Sequence, residues 1–302
     1  SEGKVTVDDY ELIAVDDSVM GDAGTDMLIE EKKELVNETI LMPLGLEYDK
    51  PVAEAGYLLE CNESGDVVES NLGPLVADAI RNYVNVNDRT GTDIAMVAVG
   101  VIRDRIVPGL QTAPDIFRIM SMGSGKDAVP GYPLARIFLT GKELKNILGI
   151  LLLSSKSTPA NYCYYSGLKA EINPRKFLMG KVVSISLQNP DGSFREINLS
   201  GKDRTLYSVT ANAYMLQYVG LIKKMSFGLL NIVPKDQEGN PVTDMEMAII
   251  DLDPEMDGIQ EGKEWIAVME FLKTMKDTNG NMIPDIDSRY TTPQKALVTT
   301  EK

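Results

Sequence analysis

The chain has 302 residues, of which 43 % are hydrophobic and 25 % charged, with a formal net charge of −15. That length buries a sizeable core in one large domain or two smaller ones, and the acidic balance argues against a nucleic-acid partner. Histidine is absent and there are only 2 cysteines, which excludes Ser-His-Asp and Cys-His catalysis and zinc sites of the usual kind.

From the N-terminus, the polar opening reads as strand-like rather than as a secretory leader, with a strand at "YELIAV" (10–15). "TDMLIEEKKELVNETIL" (25–41) reads as a helix capped by Thr25 or Asp26, with a narrow apolar stripe. "ESNLGPLVADAIRNYV" (69–84) places Leu72, Leu75, Val76, Ala79, Ile80 and Tyr83 at helical spacing, behind a Ser70 or Asn71 cap. "TDIAMVAVG" (92–100) is a short apolar run, read as a buried strand. A helical turn follows at 112–120, then a strand and helix over 134–153, with Thr140 and Glu143 as a capping box.

"GLKAEINP" (167–174), "KVVSISLQ" (181–188) and "LYSVTANAY" (206–214) read as strands, with "NPDGS" (189–193) as a hairpin turn. "MAIIDL" (247–252) is a further short strand candidate, and "EWIAVMEFLKTMK" (264–276) an amphipathic helix. The tail from Tyr290 reads as polar and frayed. No apolar run reaches membrane-spanning length, the longest being "ILGILLL" (147–153). Cys61 and Cys163 read as half-buried thiols, a disulfide between them being the alternative. The pattern is a mixed α/β chain.

The order of seven of these segments resembles the C-terminal domain of the 5′-nucleotidase family, secreted or periplasmic metallophosphatases that hydrolyse nucleotides. The matching stretches are "ESNLGPLVADAI" (69–80), "DIAMVAVGVIRDRI" (93–106), "DIFRIM" (115–120), "IFLTGKELKNIL" (137–148), "YYSGLKAEINP" (164–174), "KVVSISL" (181–187) and "YSVTANAY" (207–214). The resemblance implies a four-layer α/β/β/α domain over 49–290, preceded by a linker strand and helix (1–48) and followed by a polar tail (291–302). It also implies a nucleotide or nucleoside-like ligand and a periplasmic or secreted setting. The family's catalytic metallophosphatase domain has histidines among its metal ligands and so is not expected within these residues; if the chain is part of a longer one, the resemblance implies that such a domain accompanies it.

The resemblance also assigns the site. The family's Asn-Gly-Gly-Gly-Ile-Arg turn falls on Ala98-Val99-Gly100-Val101-Ile102-Arg103, so Arg103 is the candidate anion contact while two glycines are valines. Its Pro-Phe-Gly-Asn stretch falls on Ser121-Met122-Gly123-Ser124, which leaves methionine where a base-stacking ring is expected. The second ring falls on Ala213, next to Asn212 and Tyr214, and the Gly-Gly-Asp-Gly motif on "QYVGLIKK" (217–224), without its aspartate. The candidate substrate set is therefore Arg103, Met122, Gly123, Ser124, Asn212 and Tyr214. The tyrosines of "NYCYYS" (161–166) are expected either beside the cleft or capping the core.

One motif lies outside the resemblance. "DTNGNMIPDIDS" (277–288) sets Asp277, Asn279, Asn281 and Asp285 at alternate positions, the donor spacing of a calcium loop. It departs from an EF-hand, with Met282 at the sixth position and Ser288 at the twelfth. "DLDPEMDG" (251–258) reads as an exposed acidic loop, and "GSGKD" (123–127) lacks a phosphate loop's second glycine and hydroxyl. Two functions stand against each other: the substrate-recognition half of a nucleotidase, inert without its catalytic half, and a degenerate stand-alone extracellular binding module, with calcium a candidate ligand.

Overall fold

The computed structural model describes residue 3 and residues 6–61, 66–217 and 232–300. The chain divides into two units, Ser1–Tyr48 and Asp49–Lys302.

In the first unit, helix α1 (Ala23–Val36) is capped by Asp22, whose carboxylate accepts from Thr25 N, so the cap lies before the predicted Thr25 or Asp26. The helix passes into a wide turn at Asn37–Leu41. Residues 10–15 form no strand; Leu12, Ile13 and Val15 are exposed. Their β-propensity finds no partner strand, and propensity without pairing does not hold a strand.

The second unit is built on two four-stranded sheets and a two-stranded ribbon. Strands β1 (Pro51–Ala55) and β3 (Gly109–Thr112) form the ribbon. The central sheet has the order β4 (Leu134–Thr140), β9 (Leu206–Asn212), β2 (Ile94–Ala98), β5 (Cys163–Ser166), with β2 parallel to β9 and the other neighbours antiparallel. The second sheet runs β10 (Leu297–Thr299), β6 (Leu168–Ile172), β7 (Val182–Gln188), β8 (Phe194–Glu196). The tail expected to fray thus supplies an edge strand, parallel to β6, and Tyr290 is fully buried.

Helix α2 (Leu72–Asn87) packs against β2 and β5 and against a later helix, α6 (Glu264–Lys273). The predicted apolar face of α6 is the buried one: Trp265, Val268, Met269 and Leu272 are inaccessible or nearly so. Between α2 and α6 in sequence lie α3 (Ala113–Ile119), α4 (Gly141–Ser154) and the short α5 (Ala213–Gln217). Capping boxes start both α3, through Thr112 and Asp115, and α4, through Thr140 and Glu143. Helix α4 packs against β4 and β7, one strand of each large sheet, and Leu144, Ile147 and Leu148 join the core that the sheets share with Ile137, Ile185 and Val209. Helix, sheet, sheet and helix together give the mixed α/β fold. Residues 247–252 are a short turn and isolated bridges rather than a strand. Tyr162, Tyr164 and Tyr165 are buried in and beside β5, where they cap the core. Cys61 and Cys163 are not joined; the Cys61 Sγ lies 3.1 Å from the Tyr164 hydroxyl. Among the described residues, no helix is long and apolar enough to cross a membrane.

Candidate functional site

The segment 121–132 is a folded-back loop between α3 and β4. Gly131 N donates to Gly123 O at 2.9 Å, and Ser124 bridges Pro130. Gly123 has φ +76°, and a Cβ there would sit 2.2 Å from the Tyr132 ring, so only glycine admits both the turn and the ring. The loop is fastened from beneath. Lys263, fully buried, donates to Asp127 Oδ1 at 2.8 Å and to Glu261 Oε2 at 2.5 Å, while Lys126 N donates to Glu261 Oε1 at 3.0 Å. The Trp265 indole N–H donates to Pro130 O at 2.7 Å, and its ring meets Phe117 edge-on at 5.6 Å.

This fastening places one wall of a cavity of about 900 Å³. Ser124, Lys126 and Tyr132 come from the loop, Tyr214 from α5, and Met245 and Glu246 from the turn 245–248. Tyr132 and Tyr214 are stacked, with ring centroids 5.1 Å apart and planes 9° from parallel. Among the described lining residues Lys126 is the one cation, against the carboxylates of Asp244, Glu246 and Glu261. Lys126 Nζ lies 2.6 Å from Glu246 Oε2, and that hydrogen bond holds its ammonium above its ordinary range.

Of the residues singled out in the sequence, Ser124 and Tyr214 line this cavity. Gly123 supports Tyr132. Asn212 is fully buried one step behind: its Oδ1 accepts from Met215 N at 2.7 Å and its Nδ2 donates to Glu264 Oε2 at 3.0 Å, so it holds the start of α5. Glu264 is itself buried, its Oε1 has no partner among the described residues, and burial pushes its pKa up to about 8. Arg103 and Met122 are not among the lining residues. Arg103 is exposed, and its guanidinium reaches Gly100 O at 3.3 Å. Val99 and Val101 are buried in a tight turn at the end of β2. Lys126 and Asp127 of "GSGKD" are committed to carboxylate and ammonium partners rather than to a phosphate cradle. The stretch 218–224 lies outside the described residues.

The sequence did not single out Tyr132, Glu246 or Glu261. The available signal was Gly131-Tyr132-Pro133, a ring held between two turn-forming residues just before a strand.

The loop 277–285 closes on its own backbone. Asp277 accepts from Gly280 N at 2.7 Å and Met282 N at 2.8 Å, and these bonds hold its carboxyl below the usual range. Asp285 accepts from Thr278 N and Oγ1, both at 2.6 Å. Met282 takes the left-handed conformation, φ +69°, at the position where an EF-hand has glycine. The sequence missed Glu54 of β1, whose Oε2 accepts from Asn279 Nδ2 at 3.0 Å and Asn281 Nδ2 at 2.6 Å. Among the described residues, no group of 3 or more Cys, Asp or Glu side chains stands close enough to hold a metal ion.

The family described as 5′-nucleotidase, C-terminal domain, matches residues 55–223. No curated protein matches the chain. Among solved structures, the fold is similar to a 5′-nucleotidase precursor from Thermus thermophilus, at 18 % identity and TM-score 0.56, over 92 % of this chain and 44 % of that one. It is also similar to the NAD nucleotidase of Haemophilus influenzae, at 17 % identity and TM-score 0.57, over 92 % of this chain and 41 % of that one. The chain thus spans less than half the length of either neighbour.

Proposed function

Because the chain belongs to the 5′-nucleotidase C-terminal domain family, we propose that it is the substrate-recognition unit of a 5′-nucleotidase-type phosphohydrolase, acting in nucleotide catabolism in a periplasmic or secreted setting. The observation that carries this reading is the meeting of Ser124 and Tyr214, from two distant segments, on one cavity of about 900 Å³. A cavity of that size suits a nucleoside-sized ligand. Phosphoester hydrolysis would be the work of a partner metallophosphatase domain; with no histidine in the chain, this unit is inert by itself.

A second reading, a binding module that has left nucleotides behind, is favoured by the Tyr132–Tyr214 stack. A flat base held between two rings needs their planes about 7 Å apart, twice a van der Waals contact. Here the rings occupy each other's faces. Micromolar affinity requires about 8 kcal/mol, and a good aromatic pair adds only about 0.5–1.5 kcal/mol beyond area burial. On this second reading, calorimetric titration with adenosine and AMP shows no binding tighter than millimolar; on both readings the same preparation releases no phosphate from AMP with added Mn²⁺. A micromolar constant abolished by Tyr214→Ala would favour the nucleotidase reading over the module. Turnover that tracks a point mutation in this chain would remove the claim of inertness.

Calcium at the loop 277–285 belongs to the same proposal. Asp277, Asn279, Asn281 and Asp285 would hold it only after the loop rearranges, since Asn279 Oδ1 and Asn281 Oδ1 accept from Asn281 N and Ile283 N and the carboxylates stand too far apart to share an ion as they are. A ligand that binds only the folded state stabilises it by about 2.7 kcal/mol at a hundredfold excess over Kd. The melting temperature is expected to rise by several degrees in millimolar calcium over chelator, and Asp277→Ala to abolish the rise. Equal melting temperatures in both would return the loop to a self-bonded turn.

A further inference from the structure

A second surface, unrelated to the cavity, runs along α4 and the turn 173–181, "NPRKFLMGK", part of which packs on that helix. Lys142 and Lys145 stand in the first turns of α4, the positive end of the helix dipole, where cations are disfavoured. Lys176 of the turn faces them: the Lys145 ammonium is lowered by desolvation and then by Lys142 and Lys176. Just beyond the other end of α4, Lys156 and Lys181 stand side by side, and Lys156 lowers Lys181. Arg175 precedes Lys176. Among the described residues, none of these six cations is in an ion pair, and the carboxylate in the first turn of α4, Glu143, is committed to Lys235 at 2.7 Å. In a chain of net charge −15, unpaired cations gathered on one face are a costly arrangement. At the tip, directly after Lys176, the Phe177 ring is 83 % exposed.

We propose that this face docks on an anionic lipid bilayer, Phe177 entering the headgroup boundary while Lys142, Lys145, Lys156, Arg175, Lys176 and Lys181 meet lipid phosphates. An aromatic tip ringed by cations is the composition that interfacial attachment uses. The acidic remainder of the chain does not cancel it, since salt screens charges beyond about 8 Å at physiological strength. A single-stranded nucleic acid would instead call for a series of stacking rings along a basic groove, and this face offers one.

The test is co-sedimentation of the full chain with phosphatidylcholine vesicles, with and without about 30 % phosphatidylglycerol, at about 0.1 M and about 0.5 M salt. Binding is expected only to the anionic vesicles and only at the lower salt. Lys142→Gln with Lys145→Gln should lower partition about 25-fold, about fivefold per cation. Phe177→Ser should lower it several-fold with the charge unchanged. Arg89→Gln, an exposed cation elsewhere, should leave it unaltered. Lys142, Phe177 and Arg89 are exposed and Lys145 is half-buried, and circular dichroism verifies that each variant is folded. Equal partition to both vesicle types, no binding to either, insensitivity to the α4 variants, or tighter binding to a single-stranded oligonucleotide would each overturn the proposal.

Discussion

Lys263→Met is expected to lower folding stability by about 3–5 kcal/mol, the cost of breaking a buried ion pair from one side. The ammonium is fully buried between Asp127 and Glu261, and the Glu261 side chain is 1 % exposed. Removing the cation strands the Glu261 carboxylate without a counter-charge. Adding Glu261→Gln to Lys263→Met is expected to restore much of the loss, because no buried charge is then left unpaired. Gly125→Ala should fall in the same class: its Cβ would lie 1.5 Å from Glu261 Oε2 and 2.2 Å from Lys263 Nζ. Urea denaturation measures all three. A Lys263→Met loss below about 1 kcal/mol, the range of an exposed pair, would show that the site is wetter than its burial indicates.

Glu264→Gln is expected to change how stability depends on pH. The carboxyl titrates at about 8 in the folded chain, raised by burial from the ordinary 4.5. Between those values the unfolded chain carries the charge and the folded chain carries the proton, so the unfolded state binds fewer protons and stability falls as pH rises. The slope is about 1.4 kcal/mol per pH unit. The glutamine variant lacks that slope while still offering Asn212 an acceptor. It should match the parent near pH 5 and exceed it by several kcal/mol near pH 8. Parallel stability curves for the two proteins would mean that Glu264 ionises in place, and that the orphan Oε1 has a partner in solution.

What could be read in the sequence was what neighbouring residues decide together. Thr140 and Glu143 announced the start of α4, and the spacing of Leu72, Leu75, Val76 and Ile80 announced the buried face of α2. What could not be read depends on residues far apart in the chain. Tyr132 meets Tyr214 only because a loop and a helix start converge, and neither residue carries a local mark of the other. Glu54 joins Asn279 and Asn281 across most of the domain. Leu297–Thr299 lies in a tail that is polar as a whole, and its three strand-favouring residues become a strand because β6 offers them an edge. "YELIAV" is the converse: strong propensity with no edge to pair with. The candidate site followed the same division. The family pattern pointed to Ser124 and Tyr214, whereas the carboxylates beside them come from 244–261, beyond the seven matched stretches.

Trp265 is the chain's sole tryptophan, so indole emission from this protein has a single origin. Its ring is shielded from water, with its N–H tied to Pro130 in the loop that walls the cavity. The fluorophore therefore sits beneath a segment that forms part of the cavity's lining. With that loop seated, its light comes from an apolar surrounding; were the loop to lift, water would reach the indole and the emission would move to the red. Nature has left a single lamp under the floor of the cavity, and its colour reads out the loop without any label.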